Sequence, residues 1–297
     1  MAVLQTYQTT AGNREDIYDA LQLVSPEETP AFTRLPDASA NATVHQWVEY
    51  TLASASANGE IEGFIVTGAS TSSKSRISNY TQIIATTGAV SGTQRKVSTV
   101  GGQDEFAFEM KKKMLEWKIE AEIDLITQVL TAGDATSDAQ MRGLIAAVTT
   151  NRVTGSATTV ALRESDFNDL LQKIFEAGAV ADTCYVNGFN KRRISQFATS
   201  NTRQLAMDGT GMLRNRVSVY ESDFGTVEIV LERYMPKTVG LVLKESMFRK
   251  AWLRKPSTTP LAKRGDLDEF MIVGELTLEH LNERAGGVLS AFASSTS

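Results

Sequence analysis

The sequence predicts an α+β protein in which one long helix lies against a sheet. Three observations lead there: a run of about thirty residues between Gly102 and Gly133 with no Gly or Pro and with helical apolar spacing, a mixed helix-and-strand block after it, and strand after strand from Arg216 onward. With 297 residues, 42% of them hydrophobic, the chain can bury one large core or two smaller ones. Its 30 Lys and Arg against 35 Asp and Glu give a formal charge of -5, so no global basic field points to nucleic acid or anionic lipid.

Residues 1–40 are polar and contain "SPEETP". Its two prolines disfavour a continuous helix and predict an extended arm with one short helix near Arg14 to Leu23. The opening residues lack the charged, apolar and small-residue regions of a secretory signal, and no stretch approaches 18 uncharged apolar residues. A soluble protein made in the cytosol, with no membrane partner, is expected.

"TVHQWVEYTL" (43–52) alternates, with Val44, Val48, Tyr50 and Leu52 on one face and Thr43, His45, Trp47, Glu49 and Thr51 on the other. "NYTQIIATTGAV" (79–90) alternates more loosely, and the two segments are expected to be the arms of one antiparallel hairpin. More than twenty residues rich in Ala, Ser, Thr and Gly separate them, which predicts a projecting loop with its own purpose.

The long helix is expected over Gln103–Ala132, on the order of 45 Å at 1.5 Å per residue. Asp104 fits an N-cap, Glu105 the first turn, and Gly133 a left-handed C-cap. One apolar stripe reads Phe106, Met110, Met114, Trp117, Ala121, Leu125; a second, Leu115, Ile119, Ile123, Ile126, Leu130, widens it. Lys111, Lys112 and Lys113 fall in the exposed half.

"ESDFNDLLQKIFEAGAV" places Phe167, Leu170, Leu171, Ile174 and Phe175 on one helical face and ends near Gly178. A strand at "TCYVNG" and a helix at "NKRRISQFAT" follow. The last strands are "RVSVYE", "GTVEIVLER", "TVGLVLKE", "SMFRKAWLRK" and "EFMIVGELTLEH", the last with Ile272, Gly274, Leu276 and Leu278 facing one way.

No reactive constellation stands out. Phosphate-loop, dinucleotide, zinc-protease, nucleophile-elbow and paired-cysteine motifs are all missing, and "DGTGM" (208–212) reads as a turn. The single cysteine, Cys184, reads as an inert buried strand residue. His45 and His280, the only histidines, read as surface or rim residues. "KRGD" (263–266) marks a charged turn, and "NKRR" (190–193) a solvated helix face without the interleaved aromatics of a nucleic-acid surface. No cofactor or metal is expected.

The order of parts, with "TTAGNREDIYDALQLVSPEETPAFTRL", "ATVHQWVEYTL", "RISNYTQI" and "VSGTQRKV", resembles tailed-bacteriophage major capsid proteins of the Hong Kong 97 type over nearly the whole chain. The resemblance implies an N-arm (1–37), an extended β-hairpin loop (38–100), a peripheral domain (101–140 and 240–281) with the spine helix 103–132, and a mixed α/β axial domain (141–239 and 282–297). It implies a non-enzymatic shell protein of the virion, made in the host cytoplasm, that self-assembles into hexamers and pentamers of an icosahedral head. Portal, scaffolding or decoration proteins would be its partners, with double-stranded DNA packaged inside without sequence specificity.

Contacts between subunits would fall on Arg14 and Glu15 in the arm, on Glu60, Glu62, Phe64, Lys74 and Arg76 in the loop, and on Arg254, Lys263 and Arg264 in the late strands. The Lys-to-Asn cross-link of some members finds no local motif here; Lys74 and Lys96 are loop lysines. The competing readings are a soluble α+β protein of another role, a hydrolase, or a nucleic-acid-binding module. Particles in a micrograph, an activity screen and salt-dependent DNA affinity discriminate among them.

Overall fold

A computed structural model describes residues 28–50, 52, 59–65, 74–97, 104–155, 161–197 and 218–293. The short helix expected near Arg14 lies outside them. Pro30 opens a single helical turn, α1 (Pro30–Arg34), where its missing N–H and fixed φ do no harm. The strands β1 (Asp37–Ser39), β2 (Val44–Tyr50), β3 (Lys74–Tyr80) and β4 (Gln82–Ser91) precede the long helix α2 (Glu105–Thr127). Then come α3 (Leu144–Ala147), β5 (Arg152–Thr154), α4 (Glu164–Glu176), β6 (Thr183–Val186) and α5 (Gly188–Phe197). The chain closes with β7 (Val219–Ser222), β8 (Gly225–Leu231), β9 (Gly240–Leu243), β10 (Phe248–Pro260), β11 (Leu267–His280) and β12 (Gly286–Ser290).

Three sheets result, in the orders β1-β10-β11-β4, β5-β12-β9-β6-β8-β7 and β2-β3. Helix α2 crosses the four-stranded sheet, and its first predicted stripe supplies the buried Trp117, Ala121 and Leu125. These meet Phe270, Ile272, Leu276 and Leu278, and the same core continues to Tyr185, Leu241, Leu243 and Val288 of the six-stranded sheet. That sheet's other face carries a second core, where Phe167, Leu170, Leu171 and Ile174 of α4 cover Cys184, Val186, Val242 and Leu289. Covered on both sides, β6 and β9 are buried at every position.

Two expectations are corrected. Helix α2 begins as predicted, with the Asp104 side chain accepting from Phe106 N–H at 3.2 Å, but it ends at Thr127, not Ala132. Gln128 turns extended, and Gly143 N–H donates to its carbonyl at 2.9 Å. A β-carbon on Gly143 would lie 2.8 Å from Gln128 N, so only glycine lets the returning chain close on the helix end. Gly133 sits in the loop beyond, and Ile123 of the second stripe is exposed while Glu122 is buried.

The hairpin is also paired differently. β2 joins β3, with Val44 opposite Tyr80 and Tyr50 opposite Lys74. β4, which holds most of the segment expected as the second arm, pairs with β11 instead, Ile84 opposite Gly274. Ile84 and Val90 are buried there, so β4 gains more from the four-stranded sheet than from a free ribbon. "KSRISNY" has too few apolar residues for alternation to mark it as a strand.

Candidate assembly surface

The β2–β3 ribbon is fastened at its root and along one face, and its other face is bare. At the root, Asn79 is fully buried: its Nδ2 donates to the carbonyls of Leu278 (2.8 Å) and Arg142 (3.2 Å), and its Oδ1 accepts from the N–H of Arg142 (2.7 Å) and Tyr80 (3.0 Å). Beside it, Gln82 Nε2 donates to Asp124 Oδ2 at 2.7 Å and Gln82 Oε1 accepts from Met141 N–H at 3.2 Å, tying the ribbon's exit to the end of α2. Thr81 Oγ1 donates to Glu275 Oε1 at 2.7 Å.

The ribbon's two faces behave differently. His45, Trp47 and Glu49 face the body, where the Trp47 ring meets the edge of His280 at 4.9 Å between centroids and His45 Nε2 lies 3.5 Å from Glu279. His280 was expected at the surface or rim; it is 2% exposed, because β11 delivers it beneath the ribbon. Burial first, then the Arg142 charge, pushes its imidazole down to about 4. The other face carries Val48 and Tyr50, both exposed, opposite Arg76 and Lys74. Leu52, Ile61, Phe64 and Ile65 are exposed as well, with Glu60 and Glu62 beside them.

An apolar ribbon face of this kind has little to do within a lone subunit. Burying each of its large side chains against a partner would contribute about 1.5–3 kcal/mol. Of the residues expected at contacts, Lys74 and Arg76 share this face, and Glu60, Glu62 and Phe64 belong to the same loop. Arg254, Lys263 and Arg264 do not join them: they pair within the subunit with Glu275 (3.0 Å), Asp268 (2.7 Å) and Glu269 (3.2 Å). The two lysine and arginine pairs at 263 and 264 lie by the start of β11, whose fourteen residues span roughly 45 Å from the hairpin root. Arg14 and Glu15 fall outside the described residues. Sequence reasoning did not single out the exposed Val48 and Tyr50, although the alternation of 44, 48, 50 and 52 was the available signal.

Among the described residues nothing in this surface resembles a reaction centre. Among the described residues no three His, Cys, Asp or Glu side chains gather as metal ligands. Burial pushes the Cys184 thiol up to about 12, leaving it protonated and unreactive.

Comparison with known proteins agrees with a shell architecture. The family model described as SU10 major capsid protein matches residues 4–293. The major capsid protein of Escherichia phage Phieco32 is 23% identical over 94% of each chain. Among solved structures, the Cyanophage A-1(L) capsid asymmetric unit superposes with a TM-score of 0.70 at 13% identity, covering 98% of this chain and 100% of that one. The capsid of phage XM1 gives 0.66 at 13% over 98% and 99%. An encapsulin complex from Synechococcus elongatus gives 0.64 at 11% identity over 100% and 98%, so it shares the fold.

Proposed function

The chain belongs to the SU10 major capsid protein family, and from that premise we propose that the outward face of the β2–β3 ribbon is where one copy grips the next in a tailed-phage head. The protein is a structural component of the virion rather than an enzyme, and its copies associate into capsomers. The observation that carries the proposal is the set of exposed apolar side chains, Val48 and Tyr50 on the ribbon's outward face and Leu52, Ile61, Phe64 and Ile65 in the loop it carries, while its root and its opposite face hold the ribbon to its own subunit. Lys74, Arg76, Glu60 and Glu62 would frame that set and fix its register against a neighbour. Arg254, Lys263 and Arg264 would form a second, charged contact, and Arg14 and Glu15 a third through the arm.

In this reading the four-stranded sheet with α2 is the peripheral domain, and the six-stranded sheet with α4 and α5 is the axial domain around which hexamers and pentamers close into an icosahedral head. With β9 in the six-stranded sheet, this reading would count Gly240–Leu243 with the axial domain, although the expected boundary fell before Gly240. Packaged double-stranded DNA would touch the inner surface without sequence specificity. Portal and scaffolding or decoration proteins would complete the head, assembled in the host cytoplasm. Electron microscopy and sedimentation of the purified protein, alone and with its scaffold, test the reading: closed or tubular particles are expected, and monomer alone at high concentration in both preparations would overturn it.

A further inference from the structure

We propose that Glu122 on α2 and Glu232 after β8 form a proton-operated latch fastening α1, where residues 1–27 join the body, to the spine and the six-stranded sheet. Both side chains are 0% exposed. Glu122 does the work of an N-cap for another helix: Oε1 accepts from Ala31 N–H at 2.9 Å and Oε2 from Phe32 N–H at 2.5 Å. α1 needs this, because Thr29 makes no side-chain cap of its own. Glu232 is anchored by its backbone, its N–H donating to Val186 O at 2.9 Å, while its Oε1 accepts from Tyr234 N–H at 3.0 Å.

Glu232 Oε2 is buried without a donor among the described residues, and Glu232 bears on the buried Glu122 carboxyl as a hydrogen-bonding and like-charged neighbour. Two carboxylates cannot bond each other; one proton held between them supplies the missing bond and removes one of two buried charges. The cations around the site are otherwise engaged. Arg34 of α1 is held by Glu228 (2.6 Å) and Glu245 (2.7 Å), Arg233 by Glu28 (3.4 Å), and Lys118 and Lys250 stand over the Phe32 ring. Among the described residues, Tyr185 from β6, bonded to Glu245, and Tyr234 also face the pair.

Burial and the neighbouring Glu232 raise the Glu122 carboxyl well above the ordinary glutamate range. A raised acid contributes stability that is complete below its ordinary value near 4.5 and is lost as the pH climbs through the raised value. Release sends the proton to water and leaves two buried negative charges in contact. α1 then loosens first, since it is five residues long and held at its start by Glu122. The latch is closed in mild acid and open in alkali.

Hydrogen exchange of the Ala31 and Phe32 amides in the intact assembled protein reads the latch directly. After correction for intrinsic exchange, protection should fall about tenfold or more between pH 6 and pH 9. Glu232→Gln supplies a permanent N–H donor in place of the proton, so its profile should be flat and its protection at pH 9 higher than wild type. A flat wild-type profile would overturn the proposal, as would an unchanged slope in the variant. Restoration of wild-type protection at pH 9 by millimolar magnesium chloride would also overturn it, assigning the pair to a cation. If the variant fails to fold, the infrared band of a protonated carboxyl at pH 7 in the wild-type protein decides, and its absence counts against the latch.

Discussion

Substituting Gly274 by alanine should destabilise the subunit, although replacing a strand glycine ordinarily helps by about 0.5–1 kcal/mol. On β11, Gly274 faces the indole of Trp117, and an added β-carbon would lie 2.5 Å from Trp117 Cζ2 and 3.1 Å from Cη2. Contact at van der Waals distance requires the ring to withdraw by about 1 Å. The ring is held in place: it is 1% exposed, its Nε1–H donates to Ile84 O at 2.9 Å, Trp252 stacks on it at 6.3 Å and Phe32 meets it edge-on at 6.2 Å, so withdrawal costs these contacts. Overpacking of that kind costs about 1–3 kcal/mol, so Gly274→Ala should lower stability by about 1–2 kcal/mol net. Trp117→Phe removes the two clashing atoms and, with the lost hydrogen bond and cavity, costs about 2–4 kcal/mol alone. In that background Gly274→Ala should be neutral or stabilising, a coupling of at least about 1 kcal/mol. Urea unfolding of the four proteins as dissociated subunits measures it. Additive costs, with coupling under about 0.5 kcal/mol, would show that glycine is not there to admit the ring.

Trp117→Asp should prevent folding by burying an unpaired charge, whereas Lys112→Glu, half exposed and paired with Glu109 at 3.1 Å, should change stability by about 0.5 kcal/mol or less; equal loss of soluble protein from both would mean the helix is wrongly faced. His280 runs opposite in pH to the Glu122–Glu232 pair: its folded value of about 4 lies below the ordinary 6.5, so its stabilising contribution is present above pH 6.5 and lost as the pH falls toward 4. Between pH 7 and pH 4.5, denaturant titrations should show the wild-type protein losing about 2–3 kcal/mol relative to His280→Phe, whatever the other groups add to both, and the same pH response in the two proteins would refute the assignment.

The spine was legible because its signals are local: Asp104 caps it, and the stripe from Phe106 to Leu125 marks the face that meets the sheet. Its end was not, because the stop depends on Gly143, far outside the helix. Alternation separated the two faces of β2 but carried no sign for which faces the body. The aliphatic face is the one left bare, and Trp47 turns inward onto His280, more than two hundred residues away. Strand β3 was illegible because its pairing rests on the backbone and on the Asn79 bonds rather than on apolar pattern. Burial of Glu122 ran against every hydropathy rule, since its reason is the two amides of α1. The contact residues were chosen largely by charge, and charge misses a surface whose main feature is Val48, Tyr50, Leu52 and the loop's Ile and Phe.

The central claim, that the ribbon and its loop serve neighbours rather than their own subunit, is tested by joining Tyr50 to Lys74 through an Asn-Gly turn in place of residues 51–73. Those two residues are directly paired, so a two-residue turn closes the ribbon in register and keeps the Asn79 root. Electron microscopy of this variant beside the wild-type protein, with the thermal midpoint of the dissociated subunit as the control, gives the answer. The account predicts an almost unchanged midpoint with closed shells replaced by loose capsomers; normal shells, or a subunit that no longer folds, would contradict it.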